Sequence, residues 1–157
     1  MTIIATVLPD VDTPAPALVR NDGFFPDIDP VMFREQHRIR DAVTPARARE
    51  ALIAGILTVG RDLAAWAAGH RAAGILRLDD VTASTIDGIS TLVLLYRRAV
   101  FTAAKAEVVE RYRDVDLTGA GQRKAEDLDP SVAELRRDSL HAIRDMLAVT
   151  RTCVELI

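Results

Sequence analysis

The chain has 157 residues, 49% of them hydrophobic and only seven aromatic, which is enough to bury one core without disulfides or metal. Its formal charge of −3 is uneven: residues 1 to 30 hold five Asp against one Arg, leaving 18 acids against 19 bases in the remainder. A near-neutral body argues against a dedicated DNA binder, which needs a basic face to neutralise phosphates. The single cysteine, Cys153, excludes an internal disulfide, and no apolar run is long enough to span a bilayer.

In chain order, residues 1–28 contain Pro9, Pro14, Pro16 and Pro26 among scattered Asp and Thr, and read as an extended arm. The start Thr2 to Leu8 lacks the basic residues of a secretory signal and meets Pro9 too soon, so a cytoplasmic site of synthesis is expected. Phe24 and Phe25 follow the turn signal Asn21-Asp22-Gly23. Exposed adjacent phenylalanines are costly, so they either tuck onto the chain's own helices or form an arm interface with a partner.

Asp29-Pro30 is a helix start, with a carboxylate cap and proline at the first helical position, opening a short helix to about Arg40. Thr44-Pro45 repeats the signal. It opens a long helix with an apolar stripe through Ala48, Leu52, Ile56, Val59, Leu63 and Trp66, ended by Gly74. A connector over 75–86 leads to Asp87, read as the cap of a third helix that buries Ile89, Leu92, Val93, Tyr96, Val100, Ala103 and Ala104 and runs to about Arg113. The Gly119-Ala120-Gly121 break precedes Asp129-Pro130, the start of a fourth helix with Val132, Leu135, Ile143, Met146 and Leu147 inward.

The expected fold is all-α. It is a compact bundle of about four helices over 29–150, the second and third forming an antiparallel backbone, with the arm before it and an extended tail over 151–157 after it. In extended form Thr152, Val154 and Leu156 face one way and Cys153, Glu155 and Ile157 the other, a pattern suited to pairing with a neighbour's sheet edge.

Catalytic chemistry has little to stand on. His37, His70 and His141 fall on different helices with no second ligand at metal spacing, and Cys153 has no nearby histidine to act as its base. Gly119 and Gly121 follow a helix and lack the Lys-Ser or Lys-Thr of a phosphate loop, while Asp79-Asp80 and Glu126-Asp127 sit in polar connectors. Arg97-Arg98, Arg111 with Arg113, and Arg136-Arg137 make small basic patches, each beside acids of its own segment. They either pair within their helices or cross a subunit boundary, where guanidinium groups make strong contacts with carboxylates.

Six strings resemble one family in order: Asn21-Asp22-Gly23-Phe24-Phe25-Pro26-Asp27-Ile28-Asp29, Thr44-Pro45-Ala46-Arg47, Leu95-Tyr96-Arg97-Arg98-Ala99-Val100, Glu110-Arg111-Tyr112-Arg113-Asp114, Leu135-Arg136-Arg137-Asp138 and Thr152-Cys153-Val154-Glu155-Leu156-Ile157. Together they resemble the gpL head-completion proteins of temperate phages with contractile tails. The chain departs from the family pattern at Ile89 and Leu94, where more polar residues are usual, and around Ala148 to Thr150, where a Gly-Arg-Pro-like bend is common.

The resemblance implies a virion component added after DNA packaging, a head-tail connector that forms a ring of twelve against the portal protein and offers a surface to a downstream neck or tail-terminator protein. Packaged DNA would pass through its channel without sequence-specific binding. No enzyme activity, cofactor, metal or membrane partner is implied. On this reading Thr152, Val154, Glu155, Leu156 and Ile157 form the portal or neighbour interface, and Arg97, Arg98, Arg111, Arg113, Arg136 and Arg137 the charged contacts between subunits. The alternative is a small helical DNA-binding regulator or packaging accessory using Arg97, Arg98, Arg136 and Arg137.

Overall fold

A computed structural model describes residues 17–112 and 130–150. Five helices dominate: α1 (Pro30–Gln36), α2 (Pro45–Asp62), α3 (Ala64–Ala72), α4 (Thr91–Tyr112) and α5 (Val132–Met146). A short 3-10 turn (Leu78–Asp80) and a two-stranded hairpin, β1 (Thr85–Ile86) with β2 (Ile89–Ser90), join α3 to α4. The expectation of a helical bundle holds, with five helices rather than about four among the described residues.

The helix starts follow their local chemistry. Asp29 accepts a hydrogen bond from the Val31 N–H at 2.8 Å and Thr44 one from the Arg47 N–H at 3.4 Å, each with proline in the first turn. The start of α5 lies slightly later than Asp129-Pro130 suggests. Its cap is Ser131, whose hydroxyl takes the Glu134 N–H while the Glu134 carboxylate takes the Ser131 N–H, a reciprocal pair that closes two open donors.

Two further boundaries differ from the sequence expectation. The stripe from Ala48 to Trp66 is real, but the helix breaks at Leu63 and α3 departs from α2 at 65°. No proline causes this. Leu63 is fully buried at the corner, and the turn brings Trp66 and His70 over Phe24. Asp87 is not a helix cap: Asp87 and Gly88, with φ of 50° and 74°, form the two-residue turn between Ile86 and Ile89. Helix α4 begins only at Thr91.

Helix α4 is the centre of the molecule, with α2 against one side and α5 against another. Glu50 meets Arg111 and Gly55 meets Val100, so α2 runs antiparallel to α4. The seam is built of small residues. A Cβ on Gly55 would lie 2.8 Å from the Val100 carbonyl oxygen and 3.2 Å from the Ala104 nitrogen, so only glycine permits this approach. Against the other side, the Ser139 hydroxyl donates to the Ala99 carbonyl at 2.9 Å.

Candidate functional site: a clasp, a charged surface and two grooves

The Asn21-Asp22-Gly23-Phe24-Phe25 segment is the most elaborate local structure. Val19 and Ile28 exchange backbone hydrogen bonds of 2.8 and 3.0 Å, closing residues 19–28 into a loop rather than an extended arm. Within it Asp22 Oδ1 accepts from the N–H groups of Phe24 at 3.0 Å and Phe25 at 3.1 Å, while Gly23 takes φ of 90°. Asn21 Nδ2 donates to the Tyr96 hydroxyl at 2.7 Å and to the Pro26 carbonyl at 3.3 Å.

This turn aims both phenylalanines inward, onto the chain's own helices. Phe25 stacks on Tyr96 with centroids 4.5 Å apart, and Phe24 packs against the touching pair Trp66 and His70, under the Arg71 guanidinium. They are 5% and 2% exposed, because the chain's own aromatic cluster already covers them. Burial raises the Asp22 pKa, but the two N–H groups and the Arg71 ion pair outweigh it and hold the carboxyl below its usual range. Burial pushes the Tyr96 phenol well above its usual range, so it stays protonated.

The arginines divide differently. Arg111 pairs with Glu107 one turn earlier on α4 and also with Glu50 of α2 at 3.3 Å. Arg136 reaches Glu110, and Arg98 lies 3.9 Å from Asp138, so two ion pairs bridge α4 and α5. Arg97 is half-buried on α4 and Arg137 exposed on α5. Pairing between helices of one chain was not foreseen, since acids distant in sequence become neighbours only after packing. Arg113 lies outside the described residues, as do Thr152, Val154, Glu155, Leu156 and Ile157.

Two grooves adjoin along these ion pairs. One, of about 360 Å³, lies between α2, α4 and α5 and is lined by Gly55, Thr58, Ala106, Ser139 and Leu140. The other, of about 210 Å³, is bordered by Arg47, Ile53, Leu57 and Arg111. Ile53, Leu57 and Leu140 are 42%, 65% and 44% exposed, an apolar surface framed by charge. Neither groove gathers the nucleophile and base of a catalytic site. Among the described residues no group of three His, Cys, Asp or Glu side chains is placed to hold a metal ion, and no single helix is long and apolar enough to cross a membrane.

His37 is half-buried against Phe33 and Phe101; burial, then the Lys105 charge, lowers its pKa and favours neutral imidazole. The Lys105 ammonium donates to the His37 carbonyl at 3.0 Å, tying α4 to the end of α1.

Comparison with known proteins gives this surface a setting. The family model for phage head completion protein (GPL) matches residues 19–157, from the first residue of the clasp to the last of the chain. The chain belongs to this family. It is 41% identical over 140 residues to the head completion/stabilization protein of Escherichia phage P2, covering 89% of this chain and 83% of that one. It is 28% identical over 140 residues to the probable head completion/stabilization protein of Haemophilus phage HP1 (strain HP1c1), covering 89% and 92%. No solved structure gives a significant match. The head-completion family is one of structural phage head proteins, and the chain's role is accordingly structural.

Proposed function

We propose that the chain is a head-tail connector subunit: after DNA packaging, copies close into a ring of twelve on the portal, seal the filled head and present a docking surface to the next neck or tail component. The observation that carries this reading is the family match across residues 19–157. The mixed, nearly neutral charge of the body suits a surface that meets other protein and lets packaged DNA slide past, where a basic channel would hold it.

In this reading the tail, Thr152 to Ile157, engages the portal side, and the arginines on α4 and α5 exchange part of their intrachain pairing for a neighbour's carboxylates. Twelve individually weak tails would hold firmly because docking one raises the effective concentration of the rest. The test is a phage whose copy of this chain ends at Arg151. DNA packaging should proceed, while heads leak DNA or fail to take tails; normal titres would remove the tail from the portal contact.

A further inference from the structure

Helix α2 leaves Ile53 and Leu57 bare on its outer side. Arg49, Ile53 and Leu57 follow one another at four-residue spacing, so they stand one turn above another over about 12 Å. Ile53 and Leu57, with Ala54, wall the 210 Å³ groove. Charged groups beside them are already matched, since Arg111 pairs with both Glu50 and Glu107. What the groove lacks is an apolar, uncharged cover.

The foot of this line holds the beginning of the described chain. The Arg49 guanidinium donates to the Ala17 carbonyl at 2.8 Å and to the Leu18 carbonyl at 3.4 Å. Residues 1–16 therefore lead off from the surface of α2, one turn from Ile53. Their sequence from Thr2 to Pro9 holds Ile3, Ile4, Val7 and Leu8 and no charged side chain. Two other stretches lie outside the described residues, and neither matches: 113–129 is dense in charge, and 151–157 carries Arg151 and Glu155. Residues 9–16 can span up to about 26 Å when extended, about twice the distance from Arg49 to Leu57.

We propose that residues 3–8 cover the groove beside Ile53 and Leu57 of their own chain, with residues 9–16 as the strap and Arg49 as its anchor. The occupant is the same chain's segment because the anchor holds it one turn from the groove, at an effective concentration that a second copy does not match in solution. The cover removes Ile53 and Leu57 from water and keeps α2 of one copy from associating through them with another. The family match begins at residue 19, so the ring reading gives this segment no role and the two stand or fall separately.

The test follows thiol reactivity in the full purified chain with Cys153→Ala and one new cysteine, either Leu57→Cys beside the groove or Ile86→Cys on the hairpin. Leu57 and Ile86 are 65% and 58% exposed among the described residues, so without a cover both thiols should react freely with N-ethylmaleimide. Replacing the segment's apolar residues, by Ile3→Ser, Ile4→Ser, Val7→Ser and Leu8→Ser, should speed modification at position 57 by about tenfold and leave position 86 unchanged. An unchanged rate at position 57 overturns the proposal. So does an equal rise at both positions, which would mean that the segment supports the fold as a whole. Protection at position 57 that disappears on dilution overturns the assignment to the same chain and gives the groove to a second copy's segment.

Discussion

The α2–α4 seam and the clasp of residues 19–28 both press on α4, and they are held in different ways. The seam works by shape: Gly55 and small residues such as Ala104 let two backbones approach, with no polar side chain at the closest point. The clasp works by a hydrogen-bonded turn that presents Phe25 to Tyr96 and Phe24 to Trp66 and His70. A seam of this kind fails when a volume is added. The clasp fails when a ring or a turn acceptor is removed.

The largest effect should come from Phe25→Ala. Losing a buried ring stacked on Tyr96 removes apolar burial and leaves a cavity, for an expected cost of about 3–5 kcal/mol in urea unfolding. Gly55→Val should cost about 3 kcal/mol, because its first added carbon already meets backbone that cannot step aside. Gly60→Ala on the same helix meets nothing within 4 Å and should instead stabilise by up to about 1 kcal/mol. If both glycine variants cost the same, the seam is not set by close approach.

Asp22→Ala should cost about 1 kcal/mol through lost hydrogen bonds to Phe24 and Phe25, measured the same way. Because the folded pKa of Asp22 lies below its unfolded value of about 3.8, its contribution is present above that pH and lost as pH falls through the folded pKa. The wild-type chain should therefore lose more stability than Asp22→Ala on acidification below pH 4. A change of similar size should be a gain. Ala148, just past the end of α5, holds φ of 53°, and Ala148→Gly should raise stability by about 1 kcal/mol.

The same contrast explains what could be read in advance. Ala48, Leu52, Val59 and Leu63 recur at helical spacing because one face of α2 is buried, so periodicity revealed them without any knowledge of the partner. The bend at Leu63 left no comparable mark, since it follows from where α3 must lie to cover Phe24. Residues 19–28 looked like an arm because proline and Asp disfavour helix and strand, yet the same residues build a compact turn once Tyr96 and Trp66 are beside them. Asp87 had two local meanings, a cap or the first half of an Asp-Gly turn. The flanking Ile86 and Ile89 were the available clue to the second.

The charged surface was half legible. Arg111 with Glu107 is a one-turn pair visible in sequence, whereas Arg98 with Asp138 and Arg136 with Glu110 depend on α5 packing beside α4.

The link between Asn21 and Tyr96 also sets an order of events during synthesis. Its two ends are 75 residues apart, so the clasp cannot close when its own residues leave the ribosome. At translation rates of 5–20 residues per second, Phe25 waits roughly 4–15 s for Tyr96 of α4 to emerge. For that interval its ring is without its final cover, which leaves the nascent chain open to association until its central helix arrives.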